Sequence, residues 1–124
     1  MSTNPMALII EDDHSQAMHL LAIVKNYLKM SVLHATCAED GYQLAMGLRP
    51  SLILLDLHLP DAHGLELLCR IKCKPELRAI PVLVVSADKL IGTIEDAFSL
   101  GAEGYLKKPF NRNQLLSSIQ EMGL

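Results

Sequence analysis

Two apolar runs in this sequence break off at carboxylates. Met6-Ala7-Leu8-Ile9-Ile10 stops at Glu11-Asp12-Asp13, and Leu52-Ile53-Leu54-Leu55 stops at Asp56. Two more end in other polar groups: Val82-Leu83-Val84-Val85 in Ser86, and Tyr105-Leu106 in Lys107-Lys108. Acids brought together repel one another, so a positive partner has to keep them ionised. An all-oxygen donor set suits Mg2+, a hard cation that keeps several waters and takes one or two carboxylates plus phosphate oxygens, with Mn2+ as a substitute. It lacks the sulfur and imidazole donors expected for zinc or copper. Lys108 would add a point charge and Ser86 a hydroxyl donor, and with the metal they would neutralise a phosphoryl group. Each residue also has a plainer reading. Glu11 to Asp13 could simply favour the start of a helix, worth about 0.3–1 kcal/mol. Ser86 could be a turn residue and Lys108 a solvated one. Asp56, a second acid at a second strand end, tips the balance towards a shared metal.

That reading requires the strand ends to meet, and the periodicity says how. Met6–Ile10 is a short apolar strand. From His14 the spacing becomes helical, with Ala17, Leu20, Leu21, Val24 and Leu28 at steps of three and four and Asp13 or Ser15 as cap. Val32–Thr36 is a less apolar, edge-type strand, and Ala38–Leu48 a helix with Ala38, Gly41, Ala45 and Leu48 on one face. The stretch Ser51–Pro60, bounded by Pro50 and by Pro60, Asp61 and Gly64, suits a strand buried on both faces. Leu65–Lys74 is a helix stopped by Pro75 that buries Leu67, Leu68 and Ile71. Ile80–Ser86 is a fourth strand, with Pro81 near its start where a missing donor is tolerated. Leu90–Leu100 is a helix ended by Gly101, Glu103–Leu106 a fifth strand, and Asn111–Met122 a last helix with Leu115, Leu116, Ile119 and Met122 inward.

Strict alternation of five strands with five helices implies right-handed crossovers and a parallel sheet covered on both faces. The natural candidate is the α/β, flavodoxin-like doubly wound fold with strand order 2-1-3-4-5. Its crevice opens between strands 1 and 3, which carry Glu11, Asp12 and Asp56.

The 124 residues suit one domain, and with half of them hydrophobic but only 4% aromatic, the core must be aliphatic. A net charge of -3 and scattered Lys and Arg residues argue against direct nucleic-acid binding. No stretch reaches the roughly 18 apolar residues of a membrane span and no signal pattern opens the chain, so a cytoplasmic protein is expected. Cys37, Cys69 and Cys73 cannot all pair within one chain. Cys69 and Cys73 could present two ligands from one helix, but without a second pair at zinc spacing the expectation is reduced, partly packed thiols. The histidines other than His58 are expected on the surface or in loops.

The fragments Ile9-Ile10-Glu11-Asp12-Asp13, Leu54 to Asp61 with Gly64, Val85-Ser86-Ala87 and Gly104 to Phe110 occur in order over about 110 residues. Together they resemble the receiver domain of two-component response regulators, similar to the chemotaxis regulators that consist of this domain alone. The resemblance implies that Asp56 is the phosphoacceptor, taking a phosphoryl group from a sensor histidine kinase or a phosphotransfer protein. It implies that Asp12 directly, Glu11 directly or through water, Asp56 and the His58 backbone carbonyl hold Mg2+. Ser86 would hydrogen-bond the phosphoryl group, Lys108 would pair with it, and Ser86 and Tyr105 would form a switch acting on the surface of helix 4, strand 5 and helix 5. Lys108-Pro109 is commonly cis in this family, and His58 and Asp88 would flank the water that hydrolyses the acyl phosphate. The signal would pass to a downstream protein or an attached output domain, or to a homodimer formed on phosphorylation. The only catalysis implied is the chain's own phosphotransfer and dephosphorylation. Residues 1–124 would be one receiver domain with no output domain after Leu124, either a single-domain regulator or a piece of a longer protein.

Three other functions use the same residues. An aspartyl phosphatase wants an acid two residues after the nucleophile, where His58 stands. In a flavodoxin-like cofactor carrier, the acidic loop after strand 1 would repel a flavin phosphate. A docking module independent of phosphorylation has no use for the full set Asp12, Asp56, Ser86 and Lys108.

Overall fold

The run that ends in Asp56 forms the middle of the sheet. In the computed structural model of the protein, which describes residues 5–124, Leu52–Leu55 (β3) is buried along its whole length. Beside it lie Met6–Ile10 (β1) and Val82–Ser86 (β4), with Ser31–Ala35 (β2) and Gly104–Lys107 (β5) at the edges. All pairings are parallel and the order is β2-β1-β3-β4-β5, the doubly wound arrangement that alternation predicts. The polar residues that precede β1 lie, apart from Pro5, outside the described residues.

Register aligns the strand ends. Ile10 pairs with Leu55, so the next residues, Glu11 and Asp56, emerge together from neighbouring strands. Backbone bonds carry the ladder past both ends: Asp56 N–H donates to Ile10 O (2.9 Å) and Glu11 N–H to Ala35 O (3.0 Å). Across the sheet Ser86 pairs with Lys107, and the Lys108 N–H donates to Ser86 O (2.9 Å).

Because side chains alternate along a strand, each strand serves two core layers. On one face Ile9, Leu54 and Val85 pack against His14–Leu28 (α1) and Arg112–Glu121 (α5), through Leu20, Val24, Leu115 and Ile119. On the other, Ile10, Ile53 and Val84 meet Ala38–Leu48 (α2), Gly64–Cys73 (α3) and Ile91–Ser99 (α4), through Ala45, Leu67, Ile71 and Ala97. Among the described residues no helix is long and apolar enough to cross a membrane.

The helix ends show which caps are used. Asp13, not Ser15, caps α1 by accepting from Gln16 N (2.8 Å), and Asn111 and Gln114 form a reciprocal capping box on α5. Cys37 precedes α2 without a side-chain cap bond, and Asp61, from the loop after β3, caps that helix instead. Two expectations need correction. Leu48 does not join the inward face of α2 but is 50% exposed in its last turn, while Tyr42, Leu44 and Met46 pack along the core edge. β4 starts at Val82 rather than Ile80, because Ile80 N–H closes a turn onto Leu77 O and Pro81 has no N–H to give a ladder.

Candidate functional site

Glu11, Asp12 and Asp56 converge at the ends of β1 and β3. One carboxylate oxygen from each lies within 4.8 Å of the others. Their surroundings differ. Asp12 is exposed, whereas Glu11 and Asp56 are buried at the mouth of the crevice. Lys108 reaches in from the end of β5: its ammonium donates to Glu11 Oε1 (2.6 Å) and to the Gln16 side-chain oxygen, and lies 3.8 Å from Asp56 Oδ1. The Asp13 N–H donates to the other Glu11 oxygen (3.2 Å). Burial pushes the Glu11 carboxyl above the usual carboxylate range, and Asp56 adds to this, while Lys108 and the Asp13 N–H pull the other way.

Asp56 Oδ1 is buried and accepts no hydrogen bond. Leaving a buried acceptor unmatched costs about 1–3 kcal/mol, more when it is charged, so such an atom in a native site asks for a reason. An unmatched carboxylate oxygen beside two more carboxylates, with only oxygen donors around it, fits a hard divalent cation. Lys108 alone cannot balance three acids.

On the other flank the Ser86 side chain is fully buried and its Oγ accepts from Asp88 N (3.1 Å). Asp88 ties this corner together. Its Oδ1 accepts from Leu90 N (3.0 Å), its Oδ2 from the Thr93 hydroxyl (3.1 Å), and its backbone oxygen from the Tyr105 hydroxyl (2.7 Å). Burial raises the Tyr105 phenol above its ordinary range. With its carboxylate engaged on α4, Asp88 does not line the groove over Asp56, whereas His58 does. The Lys108-Pro109 peptide is cis.

Of the residues singled out in the sequence, Glu11, Asp12, Asp56, His58 and Lys108 border one groove. Ser86 and Tyr105 sit at its back, joined through Asp88. The groove continues past Gln16 to an apolar end at Leu20, Pro109 and Phe110, where the His19 ring stacks on Phe110 (5.3 Å between centroids). Three contributors carry no sequence signal. Gln16 contacts Lys108 across the crevice, and only its position one turn into α1 hints at this. His34, expected at the surface or in a loop, is half-buried on β2 with Nε2 2.7 Å from Glu11 O. His63, also placed in that class, does lie in a loop and caps α3 by accepting from Leu65 N (3.1 Å).

The family profile described as the response regulator receiver domain matches residues 7–120. The chain is 38% identical over 116 residues to the transcriptional regulatory protein KdpE of Staphylococcus aureus (strain NCTC 8325 / PS 47), covering 91% of this chain and 47% of that protein. It is 30% identical over 116 residues to the polar-differentiation response regulator DivK of Brucella anthropi, covering 94% of both. Among solved structures, the Mn(2+)-bound form of response regulator Rcp1 superposes with a TM-score of 0.81 at 25% identity, over 96% of this chain and 90% of that one. The chain therefore belongs to the response regulator receiver domain family of two-component systems. It spans about half the length of several curated relatives, which are longer transcriptional regulators.

Proposed function

We propose that Asp56 is the phosphoacceptor of a histidine-to-aspartate phosphotransfer, and that its occupancy is the signal. The observation that carries this reading is Asp56 Oδ1, a buried carboxylate oxygen with no hydrogen-bond donor, facing a groove that Lys108 enters. Phosphoryl transfer asks a protein mainly for in-line positioning and charge stabilisation, which suits a carboxylate held rigidly at a strand end. An Asp56 oxygen attacks phosphorus as the N–P bond of a phosphohistidine breaks, and the imidazole leaves with the electron pair and takes up a proton. Lys108 turns from Glu11 towards a phosphoryl oxygen, and Ser86 donates its hydroxyl to another.

Glu11, Asp12, Asp56 and the His58 carbonyl would hold Mg2+, with Mn2+ as a substitute. When bound, the cation supplies positive charge that offsets the acids and the phosphoryl oxygens. Ser86 and Tyr105 form the switch, because the Asp88 N–H that now serves Ser86 Oγ belongs to the residue whose carbonyl holds the Tyr105 hydroxyl. A change at Ser86 is thereby felt at the surface of α4, β5 and α5.

The phosphoryl donor is a sensor histidine kinase or a phosphotransfer protein. The receiver of the signal is a downstream protein, an attached output domain, or a second copy of the phosphorylated chain, in the cytoplasm and without direct contact to nucleic acid. Beyond its own phosphotransfer and dephosphorylation the chain acts as a switch. Incubation with a small acyl phosphate and Mg2+ should add one phosphate, read by intact-protein mass spectrometry. Asp56→Asn should add none; a variant that still gains the phosphate places the acceptor elsewhere.

A further inference from the structure

Cys69 and Cys73 occupy positions i and i+4 of α3, and their sulfurs lie 3.8 Å apart. Both are free thiols, Cys73 exposed and Cys69 half-buried, so solutes reach the pair. They take no part in the acidic site, which meets α3 at its opposite end through Gly64.

Geometry decides between a disulfide and a bridging ion. A disulfide wants the two Cβ atoms about 3.5–4.5 Å apart. Positions i and i+4 of a helix hold them about 5–6 Å apart, so closing the bond would bend α3. A tetrahedral ion asks for less. Two thiolates about 2.3 Å from such an ion sit about 3.8 Å apart, the separation already present between Cys69 and Cys73. The thiols also sense each other: Cys73 is the main reason the Cys69 thiol is held above its ordinary range. A dication is the kind of partner that lets both lose their protons together.

We propose that Cys69 and Cys73 form a second metal site, a bis-thiolate chelate for a soft divalent cation of the zinc and cadmium class. Among the described residues the one converging trio of His, Cys, Asp or Glu is Glu11, Asp12 and Asp56, so water completes the coordination at the thiols. Each ion goes to its own end of α3 by hardness, an oxygen-preferring cation to the carboxylates and a thiophilic one to the sulfurs. The chelate spans the last turn of α3, beside Lys72, which holds the backbone oxygens of Arg78 and Ile80.

The test uses the full, reduced chain with Mg2+ in excess, titrated with Cd2+ and followed by the ultraviolet thiolate-to-cadmium charge-transfer band, which carboxylates do not give. The band should saturate at one Cd2+ per chain. Cys69→Ser and Cys73→Ser should each weaken binding about 10-fold or more, with circular dichroism confirming the fold. Cys37→Ser and Asp56→Asn should leave the titration unchanged, which separates this site from the proposed phosphoacceptor. Unweakened binding in either single serine variant, a band that disappears with Cys37→Ser, or saturation at one ion per two chains overturns the proposal.

Discussion

Lys108 stands between two carboxylates that hold it unequally. It bonds Glu11 at 2.6 Å and stays 3.8 Å from Asp56, so its charge is stored on the residue that is not the proposed nucleophile. Lys108→Met removes a preorganised charge from the phosphoryl side and should slow phosphorylation by a small donor about 100-fold or more. The same variant leaves Glu11 and Asp56 without their cation, so Mg2+ should bind more tightly; quenched-flow labelling and a metal titration read the two effects apart. Weaker metal binding in this variant would mean that Lys108 supports the metal site rather than competes with it. At this scale the acids and Lys108 were legible because each interrupts an apolar run, a contrast visible in one dimension. Gln16, His34 and Asp88 were not legible in their observed roles. Gln16 meets a distant side chain, His34 a distant backbone oxygen, and Asp88 joins Ser86 to Tyr105 through its own backbone, and such contacts leave no periodicity.

At the scale of elements, two glycines divide by what a methyl group would meet. At Gly64 an added Cβ would lie 2.6 Å from Asp56 O and from Leu57 Cα, both backbone atoms beside the site. Gly64→Ala should cost about 1–3 kcal/mol in chemical denaturation and also slow phosphorylation, since Asp56 must shift. At Gly41 the Cβ would come as near to Ile10 Cδ1 and within 2.9 Å of Ile10 Cγ1, side-chain atoms of a fully buried residue, so Gly41→Ala should also destabilise, but less, because alanine favours the helix by about 1 kcal/mol. Asp61 supplies a pH test. The Ala38 and Glu39 N–H groups hold its carboxyl below the usual range, so the folded chain binds that proton more weakly than the unfolded chain. The stability gained is complete above the unfolded-state pKa of about 3.9 and is lost as pH falls through the lower folded value. Wild type should therefore exceed Asp61→Asn in urea midpoint at neutral pH, with the gap closing in acid; a constant gap would assign the effect to geometry rather than charge. The helix and strand sequence was legible because periods of 3.6 and 2 differ plainly. Asp61 as the cap of α2 was hidden, because it comes from another loop 23 residues further on.

For the molecule as a whole, parallel register brings the ends of β1 and β3 together, so the acids converge without any loop having to carry them there. A cation bound only by the folded chain adds stability as RT ln(1 + [L]/Kd), about 2.7 kcal/mol at a hundredfold excess over Kd. The thermal midpoint should rise with Mg2+ in the wild type and stay flat in Asp12→Ala; equal rises in both would remove Asp12 from the metal site. Alternation implied a parallel sheet covered on both faces, for which the flavodoxin-like order was the natural candidate, whereas what the proposed switch acts upon lies outside anything the residue pattern encodes.

The helix at the end of the proposed switch is thinly anchored. α3 buries Gly64, Leu67, Leu68 and Ile71, but α4 fully buries only Ala97, and Ile91 at its start is 74% exposed. Its first turn is tethered by the two Asp88 carboxylate bonds. Opening free energy follows buried apolar contact, so amide hydrogens of residues 91–99 should exchange with deuterium well before those of α3. If Asp56 is the acceptor, a helix so lightly held would give one phosphate enough leverage to reshape a surface.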